Sequence, residues 1–100
     1  MLARDRRVTE PAEMRTIMRK GRVSRTPSFV TYTLKSEGAS RATVIVGKTV
    51  DKSAVERNRI KRAAREEVRS FIERNPNGYL IVVRALPAAA SDAHNIAFTR

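Results

Sequence analysis

Apolar residues recur along this chain at two spacings, one typical of an α-helix and the other typical of β-strands. Between residues 54 and 74 they recur mainly at three- and four-residue steps, which places them along one side of a helix. This apolar stripe comprises Ile60, Ala64, Val68, Phe71 and Ile72. Residues 28–35, 41–47 and 79–85 are instead rich in β-branched and other apolar side chains, so each segment predicts a strand.

Local signals define the ends of the long helix. Ser53 followed by Glu56 has the spacing of a capping box at a helix N-terminus. The segment Asn75-Pro76-Asn77-Gly78 consists of residues that disfavour helix continuation. We therefore predict a helix from about Ala54 to Arg74.

A shorter helix is predicted near the N-terminus. Three apolar residues share one face of it and are expected to be buried, namely Met14, Ile17 and Met18. Thr9 or Glu10 can cap its start, and Pro11 suits its first turn. Gly21 is expected to end the helix in a left-handed conformation.

Alternation within residues 28–35 assigns side chains to the two faces of a strand. Tyr32 lies on the same side as Val30 and Leu34, whereas Phe29 lies on the other. Residues 36–40 predict a turn, so the strands at 28–35 and 41–47 are expected to form an antiparallel hairpin. The uninterrupted apolar run in residues 80–83 predicts a buried, central strand.

The predicted order is helix, strand, strand, helix, strand, helix. It indicates one α+β domain over residues 1–100, with a small mixed sheet packed on helices in two layers. Residues 1–8 indicate a basic, flexible arm, and residues 91–100 are expected to form a short C-terminal helix capped by Ser91 or Asp92. If the second and third strands are parallel, the base-rate expectation is a right-handed crossover.

The charge of the chain identifies a class of partner. It has 21 Lys and Arg against 10 Asp and Glu, a formal net charge of +11, which predicts a polyanion as partner. There is no cysteine, His94 is the single histidine and the acids are dispersed, so neither a metal cluster nor a protein-only nuclease is predicted. We find no secretion signal and no apolar run near the roughly 20 residues of a membrane span, so we expect a cytoplasmic location and no membrane partner.

The cations concentrate on the long helix, about 100° or more around it from the apolar stripe. Residues 57–65 contain five cations before the first acid, Glu66. Arginine grips phosphate through two parallel hydrogen bonds, whereas exposed ion pairs contribute only tenths of a kcal/mol. A solvated helix face is the alternative, but a nucleic-acid docking surface accounts better for so many arginines. This face carries Asn58, Arg62, Arg65 and Arg69.

Together these elements resemble the protein family of bacterial ribonuclease P. The likeness depends on an apolar strand and Lys-containing loop, Val44-Ile45-Val46-Gly47-Lys48, followed by the helical segment Arg57-Asn58-Arg59-Ile60-Lys61-Arg62. Weaker matches are Arg19-Lys20-Gly21, the strand at 28–33 and Ile81-Val82-Val83-Arg84. Their order and spacing extend the likeness over most of the chain.

The resemblance implies a non-catalytic subunit of an endoribonuclease that removes the 5′ leader of precursor tRNA. Its partners would be ribonuclease P RNA and precursor tRNA, with the protein a monomer in a 1:1 ribonucleoprotein. Mg²⁺ held mainly by the RNA would carry out the hydrolysis, and the protein would bind none tightly. The family has a left-handed crossover, of the type found in the second domain of a ribosomal protein, and this replaces the right-handed expectation.

The resemblance also implies roles for individual residues. Met14, Met18 and Tyr32 would line a cleft between the first helix and the sheet that holds the leader. RNA would be bound by Lys48, Arg57, Asn58, Arg59, Lys61, Arg62 and Arg65, together with Arg69 of the same helix.

Two departures from the family pattern affect these expectations. Met14 and Met18 stand where the family usually has aromatic residues, so stacking on bases would be weaker, although thioethers still offer polarizable contact. The loop at residues 49–52 is one residue longer than the commonest family form and adds Asp51. Charge and size also fit a structural RNA-binding protein such as a ribosomal component, which is the alternative function.

Overall fold

The computed structural model describes residues 4–98 of the chain. Its helices are α1 (Pro11–Lys20) and α2 (Ala54–Arg74), and its strands are β1 (Arg22–Arg25), β2 (Phe29–Ala39), β3 (Arg41–Ile45) and β4 (Asn77–Ala85). Short 3₁₀ turns lie at Arg4–Arg6 and Pro87–Ala90. The bounds of α2 confirm the prediction, and the Ser53 hydroxyl accepts a hydrogen bond from the Glu56 amide at 3.4 Å, as a capping residue does.

The four strands form one mixed sheet in the order β1-β2-β4-β3. β4 pairs antiparallel with β2 and parallel with β3, and β1 pairs antiparallel with β2. The predicted hairpin between residues 28–35 and 41–47 is therefore wrong, because β4 lies between these two strands. An apolar strand such as β4 gains most from a central position, where both its faces are covered. The left-handed sense of the β3–α2–β4 crossover stays a prediction.

The two helices pack on opposite faces of this sheet. On the face that we call the α2 face, the predicted stripe of α2 is buried in one cluster with Phe29, Ile81 and Val83. On the opposite face, the α1 face, Ile17 is buried together with Val82. The predicted two-layer arrangement is corrected by this α1 layer. It forms because alternate residues of β4 are apolar on both sides, so both faces of the sheet require cover.

Gly21 ends α1 in an extended conformation, with φ −73° and ψ 160°, and not in the predicted left-handed one. Its N–H donates to the Ile17 carbonyl oxygen at 2.8 Å. A Cβ atom here would lie 2.6 Å from that oxygen and 3.1 Å from the carbonyl oxygen of Thr33. Glycine is thus required because the helix end approaches β2 closely, and not because of its φ angle.

The predicted N-terminal arm is wrong for residues 4–8, which are docked on the edge of β3. Arg7 forms a parallel bridge with Ala42, and the Val8 N–H donates to the Ala42 carbonyl oxygen at 2.9 Å. The Val8 side chain is buried. The positive charge of this segment suggested mobility, but the buried Val8 side chain and the two backbone contacts with Ala42 hold residues 4–8 on the sheet. Residues 1–3 lie outside the described residues.

The predicted C-terminal helix is also wrong for residues 91–98, in which the structure has only turns and irregular chain. Thr26 donates its hydroxyl to the Asn95 carbonyl oxygen at 2.6 Å, and the Phe98 ring stacks on Phe71 with centroids 4.5 Å apart. Tertiary packing therefore holds this segment without intrahelical hydrogen bonds. Residues 99 and 100 lie outside the described residues.

β1 is a strand that the sequence pattern does not predict. Three of its four residues are polar, so Arg22–Arg25 carries little apolar periodicity. It forms because the turn at Gly21 directs the chain along the free edge of β2, where backbone hydrogen bonds are available whatever the side chains are. It leaves two arginines on an exposed edge of the sheet.

Candidate nucleic-acid interface

One side of α2 carries polar side chains without partners elsewhere in residues 4–98. We call these four residues the basic face: Asn58, Lys61, Arg62 and Arg65. Asn58 and Arg62 are exposed, and Lys61 and Arg65 are half-buried. None of the four forms a hydrogen bond through its side chain or an ion pair within the described residues. Three positive charges within little more than one helical turn thus remain uncompensated, which is the electrostatic requirement for holding a polyanion.

Two arginines of the Arg-Asn-Arg segment instead hold neighbouring parts of the chain. Arg57 donates through Nη1 to the carbonyl oxygens of Asp51, at 3.0 Å, and Lys52, at 2.8 Å. Arg59 pairs with Glu56 at 2.9 Å and donates to the Ala90 carbonyl oxygen at 3.1 Å. Arg57 therefore ties the loop before α2, and Arg59 ties the segment after β4. Their RNA contacts stay a prediction.

Arg69 lies on the same side of α2 but is neutralised by two carboxylates. Its guanidinium contacts Glu66 at 2.6 Å and Glu73 at 3.1 Å. The hydrogen bond from Arg69 lowers the pKa of Glu66 below its ordinary value, and the same contact raises the pKa of Arg69. The predicted cationic row therefore ends at Arg65, because Arg69 already has acidic partners.

The three residues predicted to line a leader cleft meet between α1 and the α1 face, while the cleft itself stays a prediction. Met14 and Met18 are half-buried and pack on the core around Ile17 and Val82. Tyr32 belongs to the same group, half-buried on β2 directly opposite Val82. The structure thus brings together the three residues that were expected to lie in one cleft, with their side chains partly accessible.

A groove around the edge of β3 is lined by one residue of the basic face and one of the predicted cleft residues. Arg65 of α2 and Met14 of α1 both line it, with Thr43 of β3 between them. Its volume is about 260 Å³, and residues 7–9 complete its wall. The groove therefore has one wall from α2 and another from α1.

Arg84 belongs to this surface, although sequence reasoning assigned it no role. Its Nη2 lies 3.4 Å from the Tyr32 hydroxyl oxygen. The two residues are 52 positions apart in the chain, so only the pairing of β2 with β4 brings them together. Alternation along β4 was the available signal, because Arg84 is on the same side as Val82.

Comparison with known proteins identifies the family. The family model described as Ribonuclease P matches residues 2–99. The chain belongs to the ribonuclease P protein family. A ribonuclease P protein component from Exiguobacterium is 39% identical over 94 residues, which cover 89% of this chain and 78% of that one. One from Arthrobacter is 38% identical over 93 residues and covers 91% of this chain and 68% of that one.

Solved structures agree with this membership. The ribonuclease P protein of Staphylococcus aureus superimposes with a TM-score of 0.79 at 28% identity, covering 90% of this chain and 86% of that one. The ribonuclease P protein from Thermotoga maritima, at 24% identity and a TM-score of 0.69, covers 91% of this chain and 83% of that one and shares the fold. Membership confirms the resemblance, the α+β fold with a mixed sheet, and a role in ribonuclease P.

Within the family signature, the Lys-containing loop lies between β3 and α2. Lys48 is exposed, whereas Val50 is buried and anchors the loop in the core of the α2 face. The Asp51 carboxylate accepts a hydrogen bond from the Ser53 amide at 2.8 Å. The acid that departs from the family pattern therefore stabilises the start of the ribonuclease P helix, and Lys48 remains accessible.

Metal-binding clusters and membrane-spanning helices are both absent from the described residues. In residues 4–98 no three acidic, histidine or cysteine side chains come together in a way that could hold a metal ion. Neither helix of that part of the chain is long and apolar enough to cross a membrane.

Proposed function

We propose that this chain is the protein subunit of bacterial ribonuclease P, with the basic face bound to the catalytic RNA and the cleft occupied by the 5′ leader of precursor tRNA. The observation that carries the proposal is the continuity of three surfaces: unpaired arginines on α2, the groove at the edge of β3, and the cleft under α1. Family membership makes ribonuclease P RNA the expected polyanion.

The basic face fits an RNA backbone. Arg62 and Arg65 are one helical turn apart and can each offer a planar pair of N–H donors to a phosphate. Asn58 adds an amide that donates and accepts at once. Binding through phosphates releases counterions, so affinity is expected to fall with salt by a log–log slope of about −0.7 to −0.9 per contacted phosphate.

The cleft fits an unpaired strand better than a duplex. Tyr32 offers an aromatic ring for a base, and the thioethers of Met14 and Met18 provide apolar contact on the opposite wall. The protein would act by position: holding the leader beside the RNA-bound face reduces the loss of orientational freedom needed to bring the cleavage site to the catalytic RNA. The cationic surface offsets repulsion between the two RNAs and lowers the requirement for free Mg²⁺.

In this proposal the protein supplies no catalytic group, and Mg²⁺ is held mainly by the RNA. The described residues form no metal site of their own, so we assign no step to a metal bound by the protein. The working complex is proposed to contain one protein and one RNA in the cytoplasm.

The test is reconstitution with a bacterial ribonuclease P RNA at low Mg²⁺, with cleavage of a precursor tRNA as the readout. The double variant Arg62→Gln/Arg65→Gln is expected to lose RNA affinity and stimulation of cleavage. Tyr32→Ala is expected to weaken binding of leader-containing precursor while leaving affinity for the catalytic RNA unchanged. Arg74→Gln is a matched control, because Arg74 is exposed on the last turn of α2 outside the basic face.

The alternative function, a structural RNA-binding protein such as a ribosomal component, makes a different prediction. In that case the wild-type protein leaves cleavage at low Mg²⁺ unchanged, whatever its affinity for RNA. That result would contradict the proposed function directly.

A further inference from the structure

The α1 face carries two arginines, Arg25 and Arg84, which lie two residues along the strands from the cross-strand row that contains Tyr32. β-pairing places Arg25 of β1 opposite Val30 of β2, and Val30 opposite Arg84 of β4. Residues that pair in this way point to the same side, so both arginines share the α1 face with Tyr32. Two strand spacings separate their backbones by roughly 10 Å, and the long arginine side chains allow both guanidinium groups to reach phosphates of one strand.

Arg84 has a buried polar atom with no partner. Its Nε is inaccessible to solvent and makes no hydrogen bond in the described residues. Its Nη2 contacts only the Tyr32 hydroxyl, at 3.4 Å, and it has no carboxylate partner in residues 4–98. A buried donor of a charged group without a partner is costly, and a missing anionic ligand is one established reason for such an atom.

Arg25 is held at the free edge of the sheet by a tight turn. Thr26 closes the turn through its own N–H, which donates to the Phe29 carbonyl oxygen at 2.9 Å, and its hydroxyl accepts from the Ser28 and Phe29 amides. The Arg25 side chain is exposed and has no partner in the described part of the chain. Its backbone is therefore fixed while its guanidinium is available.

These observations carry an inference that rests on the proposed function and extends it. We infer that Arg84 and Arg25 form a second phosphate-binding end of the cleft, so that the single-stranded leader crosses the sheet from the edge of β3 to the edge of β1. Arg65 contacts the strand at the β3 edge. Arg84 of β4 and Tyr32 of β2 contact it in the middle, and Arg25 of β1 contacts a phosphate at the far edge. Only a leader long enough to reach the β1 edge contacts both Arg84 and Arg25.

The first experiment measures affinity of the reconstituted ribonucleoprotein for precursor tRNAs with leaders of increasing length. Wild-type protein is expected to bind long leaders more tightly than short ones. For long leaders, Arg25→Gln/Arg84→Gln is expected to reduce affinity about 10- to 30-fold, as for two phosphate contacts near the weak end of the usual range. For short leaders, which do not reach Arg25, the reduction is expected to be smaller. Arg25→Gln/Arg84→Lys keeps one charge and is expected to restore part of the loss.

Lys35→Gln/Arg74→Gln is the matched control for this experiment. It removes the same charge from exposed positions outside the α1 face. Equal losses in the control and in the Arg25/Arg84 variant, or a loss that is the same for every leader length, would overturn the inference. Urea unfolding of each variant separates loss of binding from loss of fold.

The second experiment uses protein alone and a short oligouridylate, followed by NMR. The inference expects the side-chain Nε–H signal of Arg84 and the amide of Arg25 to shift together with Tyr32. Shifts at Tyr32 without any at Arg84 and Arg25 would overturn the inference that these two arginines bind the leader. The proposed cleft would remain supported. No shift at any of the three would contradict the cleft itself, so the two failures are distinguishable.

Discussion

Arg62 and Arg69 provide a matched pair of substitutions on one side of α2. Each change to Gln removes one positive charge from an arginine seven residues from the other, which is about two helical turns. They differ in their partners, because Arg62 has none in the described residues whereas Arg69 contacts Glu66 at 2.6 Å and Glu73 at 3.1 Å. If free guanidinium groups bind the RNA, the two variants should behave differently.

The expected magnitudes follow from this difference. Loss of one phosphate contact at Arg62 should cost about 1 kcal/mol, or roughly fivefold in affinity, and reduce the log–log salt slope by about 0.7 to 0.9. Arg69→Gln removes no phosphate contact, and salt screens the lost charge beyond about 8 Å at physiological ionic strength. Its effect on affinity should stay below about twofold, with the salt slope unchanged.

The assay is fluorescence anisotropy of a labelled bacterial ribonuclease P RNA, titrated with each protein at several salt concentrations. Circular dichroism confirms that both variants are folded. An affinity loss for Arg69→Gln that equals or exceeds the loss for Arg62→Gln would refute the reasoning, because the acidic partners would then not decide which arginine binds RNA.

Three further predictions concern stability and pH. Gly21→Ala should lower the free energy of unfolding by about 1–3 kcal/mol in urea, because its Cβ would lie 2.6 Å from the Ile17 carbonyl oxygen; Gly47→Ala, with its nearest atom 3.8 Å away, is the control and should change little. Ser40→Ala should lower the free energy of unfolding by about 1–3 kcal/mol in the same assay. The buried Ser40 hydroxyl donates to the Asn75 carbonyl oxygen at 2.7 Å and accepts from the Tyr79 amide at 3.2 Å, and both hydrogen bonds would be lost. An unchanged unfolding midpoint would contradict this prediction. The lowered pKa of Glu66 means that its pair with Arg69 is stabilising above the ordinary value of 4.5 and is lost as pH falls through the lowered folded value. NMR titration of the Glu66 carboxyl should show the lowered pKa, and Arg69→Gln should bring it closer to the ordinary value.

Features set by nearby residues were predictable from the sequence. The bounds of α2, its buried stripe and the group formed by Met14, Ile17 and Met18 were all predicted, because caps, stop signals and helical spacing act within a few residues. The family signature was equally local, since it is a strand, a loop and a helix in one continuous segment. The sheet order was not predictable in the same way, because the β2–β4 ladder joins residues that are far apart in the chain.

The candidate site also combines features that were predictable from nearby residues with features that depend on the complete fold. Arginine content and its position on α2 were visible in the sequence, but the separation of free Arg62 and Arg65 from engaged Arg57, Arg59 and Arg69 was not. Arg57 and Arg59 are held by carbonyl oxygens of a loop and of the C-terminal segment, whose positions depend on the complete fold. Arg69 is bound by acids of its own helix, so rotamers decide which cation pairs with which acid.

Sequence alone was enough to predict a small basic α+β domain with one amphipathic helix and a large positive charge. Periodicity, caps and net charge are properties of the chain that survive whatever the tertiary arrangement is. The folded arrangement was needed to show which cations have no partner in the described residues and that Arg65 and Met14 line one groove. Those features arise from long-range strand pairing, which places Tyr32 beside Arg84 and Arg65 beside the groove that reaches Met14.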